Sequence, residues 1–283
     1  ADIGTYSGLS EEIGSGGNVK LTHDYYTYDN GNTIVISINN SVIDGNGAII
    51  DMAGSINMEA FNVTAPGVTI KNLTIKNVKV YDDGSAICFK NAGTVENCNF
   101  VNNNVSNLFG KGGAVYFNGT GNVINCNFTD NYGGYGGAVY FSTNGDVSGC
   151  SFVNNTAIIS GGAVLIKKGG VITDCNFTNN FAVDGSAILI DGEGIVENCI
   201  FVNNSVGSAV FIEEEGKLEN CIFVNNSAEQ YGGAVILDSS GTIQNCNFTD
   251  NQAEIDGGAI YIEVYGIVEN CIFVNNSVGS AVF

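Results

Sequence analysis

One short pattern decides what this chain can fold into. Val196-Glu197-Asn198-Cys199-Ile200-Phe201-Val202-Asn203-Asn204 reads apolar–polar–Asn–Cys–x–Phe–x–x–Asn, and close copies of it recur from Cys98 to Cys271. Its cysteines form one column: Cys98, Cys126, Cys150, Cys175, Cys199, Cys221, Cys246 and Cys271. Its phenylalanines follow two residues behind: Phe100, Phe128, Phe152, Phe177, Phe201, Phe223, Phe248 and Phe273. Successive cysteines lie 22 to 28 residues apart. A period in that range belongs to a solenoid, in which each unit buries its apolar face only by stacking on its neighbours.

Each repeat divides into three short strands. The first follows a Gly-Gly or Gly-Ser pair, as in Gly136-Gly137-Ala138-Val139-Tyr140-Phe141. The second ends in an apolar–polar pair such as Val196-Glu197, and the third is Cys-x-Phe. Between second and third stands a single Asn (Asn97, Asn125, Asn198, Asn220, Asn245, Asn270), with Gly149 and Asp174 as substitutes. These residue types tolerate a left-handed bend. Residues two apart in a strand share a face, so Cys and Phe point inward together. The Asn-Asn segment reads as the loop back to the next first strand. Three short strands per turn predict an all-β, right-handed parallel β-helix with a rise of about 4.8 Å per turn.

Composition agrees. The chain has 39 Gly and one Pro, and its 40 Asn spread turn chemistry along its whole length. Acidic residues number 29 against nine lysines, for a net charge of −20. No basic face is available for nucleic acid, and no apolar run is long enough for direct membrane insertion. A chain starting at Ala1 fits either a secreted precursor trimmed of its signal or a fragment.

Residues 1–32 are read as an N-terminal cap: Tyr6, Leu9 and Ile13 fall on one helical face, ahead of a strand at Val19-Lys20-Leu21. Residues 33–283 form the β-helix, less regular at first, with a turn at Asp44-Gly45-Asn46-Gly47. Leu73 and Ile75 already occupy the Cys and Phe columns, so the first column needs an apolar group rather than a sulfur. Regular repeats begin at about residue 84.

Taken together, Gly-Gly-Ala-Ile/Val and Phe-x-x-Asn resemble the repeats of chlamydial polymorphic outer membrane proteins. The segment Val42-Ile43-Asp44-Gly45-Asn46-Gly47, preceded by a cap helix and followed by Asn-Cys-x-Phe-x-x-Asn repeats, is more similar still to adhesin-like surface proteins of methanogenic archaea. That resemblance implies extracellular display at a cell surface, adhesion to a protein or glycan of another cell, and an anaerobic source.

The candidate sites follow from the columns. The cysteines are expected to be free, apolar fillers, because no two ladder cysteines have C-x-x-C spacing and a parallel stack separates them by more than the usual disulfide Cβ–Cβ distance. Asn103, Asn131, Asn155, Asn180, Asn204, Asn226, Asn251 and Asn276 should hydrogen-bond from turn to turn. On the first strand, Tyr116, Tyr140, Leu165, Leu189, Phe211, Ile236 and Tyr261 face outward as a candidate interaction stripe, unless a loop covers them. Candidate glycan acceptors are Asn62, Asn118, Asn127, Asn154, Asn176, Asn203, Asn225, Asn247 and Asn275. No cofactor, metal or catalytic residue is expected. Arg is absent, His23 stands alone, and the acids repeat with the turns, whereas an active site breaks such symmetry. The function expected is a rigid adhesive rod; the alternatives are a polysaccharide lyase or hydrolase, and a fibre or sheath subunit.

Residues 266–283 repeat residues 194–211 letter for letter. The second copy stops part-way through a first strand, so the last rung is expected to continue into more solenoid or to pair with another copy of the chain.

Overall fold

The structure, a computed structural model, describes residues 2–84 and 86–277. It is a right-handed parallel β-helix. One turn runs from Val115–Phe117 through Gly121–Ile124 and Asn127–Thr129 to Tyr132–Tyr135, and these strands stack into four separate sheets. We label the stacks by the strand they collect. Sheet A holds twelve strands, eight of them from Cys-x-Phe segments, sheet B eleven second strands, sheet C ten first strands, and sheet D eight short strands that follow the corner after sheet A. The result is a rod of about eleven turns, roughly 50 Å long.

Sheet D adds a shorter fourth strand to the three main strands per turn that the repeat predicts. The segment expected to be a loop contains strands such as Asn104–Val105 and Ser227–Ala228, each paired in parallel with the turn above or below. The inner Asn column is the cause. Asn180 Nδ2 donates to the Phe152 carbonyl at 3.0 Å and to Asn204 Oδ1 at 3.0 Å, while Asn180 Oδ1 accepts from the Asn155 amide at 3.0 Å. This arrangement repeats from Asn103 to Asn276, so the chain leaves every turn at the same height and its backbone meets its neighbours in register.

The columns stack as expected. Phe128 sits opposite Phe100 and Phe152, and rings from Phe100 to Phe273 are parallel within 9° at 4.7–5.0 Å. A shorter column, Phe89, Phe117 and Phe141, stacks likewise under sheet C. The strand spacing, rather than any preference of the rings, sets that distance. The corner residues Asn97, Asn125, Asp174, Asn198, Asn220, Asn245 and Asn270 all have φ between 51° and 55°, and Gly149 has 64°. A second left-handed corner at Asn102, Asp130, Asn154, Asn179, Asn203, Asn225, Asp250 and Asn275 separates sheets A and D.

All nine cysteines are free. The Cys199 thiol donates to the Glu197 carbonyl at 3.1 Å, and the Cys150 sulfur accepts the Cys126 amide at 3.3 Å. Burial pushes the Cys126 thiol well above its ordinary range, whereas hydrogen bonds with the cysteines of the neighbouring turns lower Cys150 and Cys221. Leu73 fills the same column at 2% exposure.

At the N-terminus the helix Tyr6–Ile13 lies across the open end and buries Tyr6, Leu9 and Ile13. Thr5 caps it by accepting the Gly8 amide, and Gly14, at φ 56°, returns its N–H to Ser10. Tyr6 Oη donates to the Ala60 carbonyl at 2.5 Å and accepts the Ile34 amide at 3.2 Å. Glu12, on the same helix, accepts the Tyr26 hydroxyl at 2.6 Å and the Thr22 amide at 2.7 Å. The solenoid also starts earlier than residue 33: Ile3–Thr5 and Tyr25–Thr27 belong to sheet A, and Asn18–Lys20 to sheet B. The expected incomplete last rung, residues 278–283, lies outside the described residues.

Candidate functional site

Function in such a rod must sit on its outer faces, because the inner columns are sealed. The three long faces differ in chemistry.

Sheet C carries the expected stripe, and the structure covers its middle. Tyr140, Leu165 and Leu189 are 7%, 2% and 5% exposed and form a small separate cluster with Tyr116, Tyr135 and Phe211. The cover is the connection from sheet D. Its first glycine adopts φ 65° at Gly161 and 58° at Gly185, and a Cβ there would come within 2.8 Å of the Leu165 side chain and 3.0 Å of Leu189. The Gly-Gly motif is therefore a lid pressed against the stripe, and its middle is core. Cys88, the one cysteine outside the ladder, continues this column between Asn62 and Tyr116 and is also buried.

The stripe opens at Phe211, Ile236 and Tyr261. Before Phe211 the connection is residues 205–208, against residues 181–186 one turn earlier and 227–233 one turn later, whereas Gly232 and Gly257 still lie against Ile236 and Tyr261. Shortening the connection forces Val206, a β-branched residue, to φ 86°. With the cover reduced, a cleft of about 370 Å³ remains, walled by Phe211, Tyr231 and Tyr261 and carrying Asp184, Glu229, Asp238 and Glu263. The Tyr231 and Tyr261 rings are 4.9 Å apart at 37°. Desolvation raises Asp184 above the usual carboxylate range, and a hydrogen bond with Asp238 raises Glu263. Glu213, beside the cleft in the acidic run 213–215, is raised by burial as well.

Sheet B has the acidic face. Glu197 and Glu219 lie one above the other, bridged by Lys217 at 3.1 and 2.6 Å. Glu96 and Glu269 hold equivalent positions.

The outer face of sheet A is the surface that the sequence analysis missed. From Asn99 to Val274 its outward residues are Asn99/Val101, Asn127/Thr129, Ser151/Val153, Asn176/Thr178, Ile200/Val202, Ile222/Val224, Asn247/Thr249 and Ile272/Val274. None is charged, in a chain of net charge −20. Ile200, Ile222 and Ile272 are 40%, 39% and 59% exposed. The signal was present in every repeat: the two positions flanking Phe are never Asp, Glu or Lys from Cys98 onward.

Eight of the nine candidate glycan acceptors are exposed, and Asn62 is half-buried. Asn127, Asn176 and Asn247 stand on the sheet A face; Asn154, Asn203, Asn225 and Asn275 stand at its corner with sheet D. Several of their amides are already used, Asn225 Nδ2 donating to Asn203 at 2.7 Å and Asn127 Nδ2 to Asn99 at 2.8 Å. His23 lies beside Asp2 and Tyr26 at the cap, apart from the other groups. Among the described residues no helix is long and apolar enough to cross a membrane.

No curated protein and no solved structure matches the chain. The family model for the right-handed β-helix region matches residues 95–241 and 158–283, the same turns whose strands and corners repeat most regularly. The chain belongs to the right-handed β-helix family.

Proposed function

We propose that the chain is an adhesin-like rod displayed at a cell surface, with a binding rather than a catalytic role, and that its contact face is the outer side of sheet A. The observation that supports this reading is the run of eight uncharged rungs on an otherwise acidic molecule. A flat, neutral face with exposed isoleucines loses little solvation when covered. Its groups repeat at one strand spacing, so weak contacts with a protein or glycan surface of another cell sum along the rod. The acidic face of sheet B keeps copies soluble and leaves sheet A as the side where approach costs least.

The test is an array of glycans and intact cells, run beside a turnover screen on polysaccharides. Saturable binding without turnover is expected. Turnover abolished by Asp238→Asn would replace the adhesin reading with a polysaccharide-active one.

A further inference from the structure

The cleft at the open end of the stripe has a chemistry of its own, independent of the sheet A face. Its floor and one wall are aromatic: Phe211, Tyr231 and Tyr261. Its remaining polar rim includes four carboxylates, Asp184, Glu229, Asp238 and Glu263, and no Lys or His lines it. These acids come from connections after sheet D and from the ends of sheet C strands in successive turns. No group of three among the described residues is placed to hold a metal ion.

We infer that this cleft binds a small organic cation, a protonated amine carried on an apolar or CH-rich body, with the ammonium group against the carboxylates and the body against the aromatic rings. Three observations combine. The volume of about 370 Å³ suits a ligand of roughly monosaccharide size, at the small end of the range for binding pockets. The Tyr231 and Tyr261 faces, tilted at 37°, offer the ring quadrupoles that attract a cation. Asp238 raises Glu263 through a hydrogen bond first and charge repulsion second, and a cation beside the pair relieves that repulsion. An anionic sugar is excluded by the same charges, and a neutral sugar leaves them uncompensated. The shortened connection at residues 205–208, with Val206 strained at φ 86°, leaves Phe211 without the glycine that lies against Leu165 and Leu189, and the cleft opens there.

Two sources supply this chemistry, an amino sugar and an aliphatic polyamine. Calorimetric titration of the whole chain with glucosamine oligomers, the matching N-acetylated oligomers, spermidine and calcium separates them. We expect saturable binding of at least one amine, at least about tenfold tighter than the N-acetylated oligomer. Glucosamine oligomers binding above spermidine identify the amino sugar, and the reverse order the polyamine; either supports the proposal. Tyr231→Ala and Glu263→Gln should each weaken the amine by about tenfold, with Glu193→Gln on sheet B as the unaffected control. Circular dichroism of each variant confirms that the rod is intact. Equal binding of the N-acetylated oligomer, no saturable amine binding, or calcium binding that competes with the amine and ignores Tyr231→Ala would each overturn the proposal.

Discussion

Each turn of the rod closes through two corners that look alike from outside and differ within. Between sheets B and A, a left-handed residue such as Asn198 is followed by an inward thiol, Cys199. Between sheets A and D, left-handed Asn203 is followed by an inward amide, Asn204. In the first turns both inner positions are plain hydrocarbon, Leu73 after Asn72 and Val78 after Asn77. The two substitutions that follow mean different things. Sulfur replaces hydrocarbon at similar polarity and gains only weak hydrogen bonds. The amide replaces hydrocarbon with a network, in which each Asn satisfies two backbone groups of the turn before and bonds the Asn side chain of the turn after. One corner is filled by volume, the other is held by bonds.

The comparison breaks most readily at the amide corner. Asn180→Ala leaves the Asn155 N–H without its partner and strips hydrogen bonds from the Phe152 carbonyl and Asn204. At about 1–3 kcal/mol per buried unsatisfied group, a loss of roughly 3–6 kcal/mol is expected by urea denaturation. Phe201→Ala, between the two corners, provides the yardstick: a cavity in the stacked column costs about 3–5 kcal/mol. If Asn180→Ala cost less than about 1 kcal/mol, the amide would be filler like the thiol.

Acid sharpens the comparison at the outer ends of both corners. The outer Asn ladders run back to a carboxylate each: Asn97 and Asn72 to Asp44, and Asn102 and Asn77 to Asp51. Burial works against ionised Asp51, but hydrogen bonds from Tyr25, Asn77, the Ala53 amide and Lys76 hold its carboxyl down at about 2. Asp44 is lowered too, chiefly by its bond from Asn72. A lowered carboxyl adds stability that is complete above its unfolded pKa near 4 and is lost as pH falls through the folded value. For Asp51 this amounts to about 2 kcal/mol between pH 5 and pH 2, and Asp51→Asn should flatten that part of the pH–stability curve. The smallest effect belongs to the thiol corner. Cys199→Val should change stability by less than about 1 kcal/mol, and a thermal melt should not respond to reductant.

The legibility of this fold follows from the same contrast. Columns that obey a strict period showed themselves in the sequence: the Cys and Phe ladders, the left-handed Asn corner, the inner Asn stack and the cap helix all lie where the spacing put them. Sheet D did not, because six of its eight strands have only two residues, with no alternation to detect, and they are ordered by the Asn ladder beside them. The stripe lies on the outer side of sheet C, but strand parity cannot tell that Gly161 and Gly185 fold back over Leu165 and Leu189. Nor could it show that residues 205–208 are too short to do the same over Phe211. The uncharged face of sheet A was legible in principle. It consists of an absence repeated eight times, which a search for reactive groups passes over.

The central claim is that the rod makes its contacts through sheet A. Two triple variants test it with the same chemical change on two faces: Val153→Glu, Val202→Glu and Val224→Glu on sheet A, against Ile124→Glu, Val171→Glu and Ile195→Glu on sheet B. All six side chains point outward, and neither set alters a glycan acceptor sequence. The measurement is binding of each folded variant to the cells or glycans that the unmodified rod captures. Loss of binding by the sheet A set, with the sheet B set at the level of the unmodified rod, is the result predicted. Equal binding by both sets, or loss confined to the sheet B set, would contradict it.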